Sequence, residues 1–223
     1  MIMPQVLSLL ILAISASAQI DYAQYVNPFI GSEGPISGQA FGGGDIFVGG
    51  AVPFGVVKLG MDSHEANLSV ATLNGGYTPQ GNVTAFSMLH ESGTGGCPKY
   101  GVIPQMPLTT VDSPVNILDN TTYWQSRVGN DTATVGYFRT ELANGVTTEL
   151  SASRHAGILQ HSFPAGEKHV LVDISHYLPQ GNGGYCDQYF IGGEIDLQPG
   201  GSVYSGYGTY VGGWNEGEDV KPY

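Results

Sequence analysis

The sequence predicts an all-β fold, an antiparallel β-sandwich, on three observations. Turn and strand formers are abundant, with 34 glycines, 13 prolines and 13 tyrosines, while only 12% of residues are charged, a balance that favours pleated strands and tight turns. Beyond the first eighteen residues no segment shows a sustained apolar stripe of helical period, and none is long enough to span a bilayer. In the second half, β-prone runs recur between turn signals at the spacing of a sandwich or barrel.

Taken in order, Met1 to Ala18 reads as a secretory signal. An apolar run from Val6 through Ile14 is followed by Ser15-Ala16-Ser17-Ala18, small residues of the kind that precede a cleavage site. Residues 19–223 then form one domain, since roughly 200 residues suit a single sandwich. The stretch Ile36 to Gly50 is rich in glycine and includes Gly42-Gly43-Gly44. It lacks the order and the following helix that a phosphate cradle needs, so a close-packed backbone loop is the better reading.

The segment Phe86 to Cys97 reads as a strand ending in a polar turn. Further on, Val135–Leu142 and Val146–Ser153 flank Asn144-Gly145, the strongest short hairpin signal because both turn residues tolerate positive φ. Gly157–Phe163, a turn at Ala165 to Lys168, and His169–Ile174 continue the pattern. Tyr189–Leu197 and Val203–Val211 are the last expected strands. The chain stops at Tyr223, soon after a strand-like run. A sheet ending there leaves an edge and an apolar face to be covered, so a fragment lacking its covering partner is expected.

Composition also narrows the partners. Seven basic against nineteen acidic residues give a net charge of -12, which repels nucleic acid and anionic membrane surfaces and leaves a neutral sugar unaffected. Sequons at Asn67, Asn82, Asn120 and Asn130 agree with export, which makes an extracellular, glycosylated protein the expectation. Cys97 and Cys186 could pair in an oxidising compartment or stay as thiols; two cysteines alone do not decide it.

The densest polar cluster is Phe86 to Cys97, with His90-Glu91-Ser92-Gly93-Thr94-Gly95 inside it. On a strand, the neighbours His90 and Glu91 would point to opposite faces and form no simple dyad. No Gly-x-Ser-x-Gly elbow supports a serine triad. His90, His155, His161, His169 and His176 show no metal-ligand spacing, so no metal site is expected. Glycosidic hydrolysis needs two carboxylates, about 6.5–9.5 Å apart in an inverting enzyme, and Asp45, Asp62, Glu65 and Glu91 qualify by type only. Tyrosines and tryptophans such as Tyr77, Tyr100, Tyr123, Trp124, Tyr204 and Trp214 offer flat faces for sugars, or serve as core and cross-strand pairs.

The motif order resembles glycoside hydrolase family 92, the exo-acting α-mannosidases. The resemblance is carried by Tyr25-Val26-Asn27-Pro28-Phe29-Ile30-Gly31, by Gly50 to Gly60, and by Phe86-Ser87-Met88-Leu89-His90-Glu91-Ser92-Gly93-Thr94-Gly95 in the place of a Phe-Ser-His-x-x-x-Ser-Gly-Thr-Gly signature. The Met88-Leu89-His90-Glu91 variant looks like the fungal branch.

The resemblance implies a secreted, calcium-dependent, inverting enzyme acting on mannose-containing glycans, either N-glycans or mannan. An N-terminal β-sandwich would pack on an (α/α)6 barrel that holds the catalytic carboxylates and most calcium ligands. This chain would then end before the barrel, carry no catalytic residue of its own, and contribute a sugar-facing wall from His90, Glu91, Ser92, Gly93, Thr94, Gly95 and Asp45. The alternatives are a free-standing carbohydrate-binding sandwich, or part of an N-glycan-releasing amidase.

Overall fold

The computed structural model describes residues 20–32, 44, 46–64, 75–92, 100–111, 116, 119–178 and 188–212. The signal segment, Asp45, Gly93, Thr94, Gly95, the sequon at Asn67, and both cysteines lie outside the described residues. Within them the structure is built from antiparallel strands, with two short 3-10 turns at Tyr22–Tyr25 and Asn120–Tyr123. This is the expected all-β class.

Eleven strands are described: β1 Gly49–Ala51, β2 Lys58–His64, β3 Asn82–Ser87, β4 Met106–Leu108, β5 Thr132–Thr134, β6 Tyr137–Glu141, β7 Thr147–Ala152, β8 Gly157–Ser162, β9 His169–Leu171, β10 Gln188–Leu197 and β11 Tyr204–Gly212. They form a sheet β1-β2-β3, a sheet β5-β6-β7-β8, and two strand pairs, β4-β9 and β10-β11. The six strands expected from Val135 onward are all present, with ends shifted by a few residues.

The first two sheets meet face to face. Leu59, Met61, Val83 and Phe86 from one join Phe138, Leu142, Val146 and Leu150 from the other in a single buried cluster. The approach is close at Gly50, where a Cβ would stand 2.6 Å from the Ser151 backbone; any side chain would push the sheets apart.

Strand β3 departs from simple alternation. Asp62 pairs with Ala85 while Ser63 pairs with Val83, so Thr84 is an extra residue, a β-bulge that changes parity along the strand. The bulge lets Val83 and Phe86, three residues apart, both reach the core. It leaves Ala85 and Ser87 on the opposite face, beside Asp62.

The Asn144-Gly145 hairpin forms, with a different turn from the one expected. Only Gly145 has positive φ, at 83°, and the Leu142 N–H donates to the Val146 carbonyl while the Gly145 N–H donates to the Leu142 carbonyl. This is a three-residue loop closed by a left-handed glycine. Asn144 keeps ordinary φ because its side chain is engaged: Oδ1 accepts from the Val146 N–H at 3.1 Å and Nδ2 donates to the Pro107 carbonyl at 3.1 Å. The hairpin is thereby tied to β4.

His161 on β8 points into the core. It lies between Phe86 and Phe163, with Nδ1 hydrogen-bonded to the Thr148 hydroxyl at 2.9 Å and Nε2 buried without a partner. Burial lowers its pKa from 6.5 to about 4. A histidine whose folded pKa is depressed stabilises the fold above its unfolded pKa and loses that contribution as pH falls. Acidification from 6.5 toward 4 should therefore cost on the order of 2–3 kcal/mol. In urea unfolding followed across that range, the His161→Leu variant is expected to show a shallower pH slope than the parent. Equal slopes would show that His161 does not titrate in this way.

Candidate functional site

Strand β2 supplies the centre of the site. Its residues alternate between Leu59 and Met61, which enter the core, and Gly60 and Asp62 on the other face. The register pairs Gly60 with Ser87 and Asp62 with Ala85, which brings the Ser87 and Asp62 side chains to one side. Ser87 Oγ donates to Asp62 Oδ1 at 3.0 Å.

Two histidines distant in sequence complete the arrangement. His90 Nε2 lies 2.6 Å from Asp62 Oδ1, and His176 Nε2 lies 2.8 Å from Oδ2. His90 Nδ1 faces the Lys58 carbonyl at 2.7 Å. Both ring nitrogens of His90 are thereby engaged. Its face stacks on Phe47, with ring centroids 5.2 Å apart.

The Asp62 side chain is fully buried. Burial pushes its carboxyl pKa up, but the charge of His90 and hydrogen bonds from His176 and His90 outweigh that push and hold it at about 2. A buried carboxylate is tolerated because its oxygens are filled by three donors.

Several loops converge here. The Phe47 N–H reaches Ser92 Oγ at 3.4 Å, and the Gly75 N–H donates to the Gly44 carbonyl. Gly101 N–H donates to Leu89 O and Leu178 N–H to Tyr100 O, while the Gln188 amide grips both the N–H and the carbonyl of Tyr100. Gly101, at φ +75°, would place a Cβ 2.5 Å from Leu178 Cγ and 2.9 Å from the Leu178 nitrogen, so this position beside Asp62 has room only for glycine. Tyr100 and Ile103 also hold positive φ, at 67° and 59°; strained non-glycine backbone is tolerated where neighbours over-determine it.

Of the residues singled out in sequence, His90 is 4% exposed and spends its ring inside this network. Glu91 is half-buried and Ser92 exposed, so they are the described members nearest solvent. Tyr77, Tyr123 and Tyr210 are buried, whereas Tyr204 and Tyr207 are exposed. Asn82, Asn120 and Asn130 are all exposed.

Asp62 and His176 are the residues that sequence reasoning did not connect with His90. They stand 28 and 114 residues from the groups they meet, and no local spacing encodes that meeting. Among the described residues no group of three or more potential ligands is arranged to hold a metal ion. The cluster does not suit calcium, which takes six to eight oxygen ligands, because Asp62 already accepts from both imidazoles.

Removing the Asp62 charge leaves two histidines facing a neutral amide. Asp62→Asn should cost about 3–5 kcal/mol at neutral pH, the penalty for breaking a buried pair from one side. A carboxyl lowered from 3.8 to about 2 stabilises the fold above the unfolded value and loses roughly 2 kcal/mol as pH falls through that window. Urea titrations of parent and variant between pH 7 and pH 2 test both statements. A variant as stable as the parent at pH 7 would refute the network's role.

Comparison with known proteins places these features. Residues 25–223 match the model of the glycosyl hydrolase family 92 N-terminal domain. An uncharacterized secreted glycosidase of Arthroderma benhamiae is 31% identical over 182 residues, covering 76% of this chain and 22% of the relative. The structure of a family GH92 inverting mannosidase from Bacteroides thetaiotaomicron superposes with a TM-score of 0.61 at 22% identity, covering 84% of this chain and 24% of that one. The chain therefore spans about a quarter of the length of these relatives.

Proposed function

This chain belongs to glycoside hydrolase family 92, as its N-terminal domain, and from that premise we propose that it forms one wall of the sugar cavity in a secreted, calcium-dependent α-mannosidase acting on N-glycans or mannan. The observation carrying this reading is the buried Asp62 network. It pins together Phe47 and residues 90–92, 100–101 and 176–178, and so gives the Glu91–Ser92 segment a rigid base. Rigid support for a few polar groups is what a sugar subsite requires.

The wall does not cleave by itself. Hydrolysis by the usual route needs one carboxyl to protonate the leaving oxygen and another to activate water. Asp62 serves neither role, being closed to solvent and held as a carboxylate by three donors. The acid, the base and the calcium ligands then belong to the polypeptide that relatives carry beyond this domain. Calcium would supply a Lewis-acidic grip on sugar hydroxyls there, and nothing in this chain's network is called on to hold it.

Export is supported by the exposed sequons at Asn82, Asn120 and Asn130 and by the name of the Arthroderma relative, a secreted glycosidase. Passage through a eukaryotic secretory route should add glycan mass that an N-glycan-removing enzyme takes away, read by mass spectrometry.

The activity test is direct. The chain alone, given a chromogenic α-mannoside and calcium, should show no turnover above background. A polypeptide of family length beginning with this chain should hydrolyse the substrate with inversion. Turnover by the 223-residue chain itself would refute the proposed division of labour.

A further inference from the structure

The segment joining β1 to β2 displays an aromatic ring at a cost to the fold. Gly55 N–H donates to the Val52 carbonyl at 3.0 Å, which closes a four-residue turn through Pro53 and Phe54. Proline fixes its own φ near −65°, and Phe54 has φ +59°, so this is a type II turn. The third position of such a turn normally holds glycine or asparagine, because other side chains strain the backbone there. Phe54 takes that position and is 100% exposed. The folded domain gains neither relaxed backbone nor buried area from this residue.

The turn is firmly seated, so the display is fixed in direction. Val56 N–H donates to the Arg154 carbonyl at 2.9 Å, and Gly55 lies against the Arg154 backbone. The same turn carries Val56, 65% exposed, and the chain it is hydrogen-bonded to carries the exposed Arg154 and His155. An exposed aromatic with an aliphatic neighbour and an arginine close by is the composition of a protein–protein hot spot. Lys58, four residues on and the first residue of β2, holds His90 through its carbonyl.

We propose that Phe54 is a docking anchor, held out by the Val52–Gly55 turn to enter an apolar, acid-rimmed pocket on the polypeptide that follows this domain in family-length chains. The occupant is chosen on two grounds. Relatives are about four times the length of the matched region, which covers 22% and 24% of them, so most of a family-length chain remains to meet this surface. Exposed Arg154 sets a positive group beside the turn in a chain of net charge -12, which selects an acidic rim and disfavours a neutral sugar as its main occupant. The proposal rests on the reading of this chain as one part of a longer enzyme.

The test places 4-fluorophenylalanine at position 54 and reads the fluorine shift between light and heavy water, which is large for an exposed ring and small for a buried one. The chain alone should show the full solvent shift, and the polypeptide of family length should lose it. Phe54→Gly should leave the chain alone as stable or more stable in urea, because the strain is relieved, while lowering the thermal midpoint of the family-length polypeptide.

Three results would overturn the anchor. They are a ring that stays exposed in a family-length polypeptide melting as one unit, a fluorine signal in the chain alone that moves with protein concentration, and one that moves with added α-mannoside. Two independent melting transitions in the family-length polypeptide would instead sink the reading on which the anchor rests.

Discussion

The Asp62 carboxylate, sealed from water and shared between His90 and His176, is the constraint around which this domain is arranged. Its cost is set by desolvation, which for an unpaired carboxylate would exceed the whole stability of a small domain. Ser87, His90 and His176 together offset that cost, the first two from the end of β3 and the turn after it and the third from 114 residues beyond Asp62. The network acts less as a source of net stability than as a condition that rejects misplaced loops, the use for which buried polar groups are best suited.

Strand geometry explains why the network lies where it does. Asp62 is on a strand whose alternate residues, Leu59 and Met61, fill the sandwich core, so period-two alternation turns its carboxyl to the opposite face. The bulge at Thr84 then lets β3 present Ser87 beside Asp62 while keeping both Val83 and Phe86 in the core. One extra residue thus serves packing and polar chemistry together. The glycine at 101 and the positive φ at Tyr100 and Ile103 belong to the same economy: the backbone bends tightly so that a loop can approach the carboxylate.

The two faces of β2 also separate what stabilises the domain from what it offers to partners. Toward the second sheet lie the apolar contacts that hold the sandwich. Toward the other side lie the Asp62 network and the loops it pins, with Glu91 and Ser92 nearest solvent. Phe54 stands apart from both, on a turn that leads into β2 and is hydrogen-bonded to the β7–β8 connection at Arg154. In the proposed division of labour such a domain contributes position and rigidity, and the reactive groups come from the rest of a family-length chain.

The all-β class, the strand run from Val135 onward and the Asn144-Gly145 hairpin were legible in the sequence, because alternation and turn chemistry are local and each is encoded within a few residues. Family membership was legible too, since ordered motifs such as Asn27-Pro28-Phe29 and Val52-Pro53-Phe54-Gly55 are contiguous in the chain. The fate of His90 was not. Its segment read as a polar turn, and only the fold brings Asp62 from 28 residues away, and His176 from 114 residues beyond Asp62, to close over it. The three-residue form of the hairpin loop likewise depended on Pro107, whose carbonyl engages Asn144. Local propensity is written along the chain, but a buried charge finds its partners through space, and that pairing is decided only when the sheets have packed.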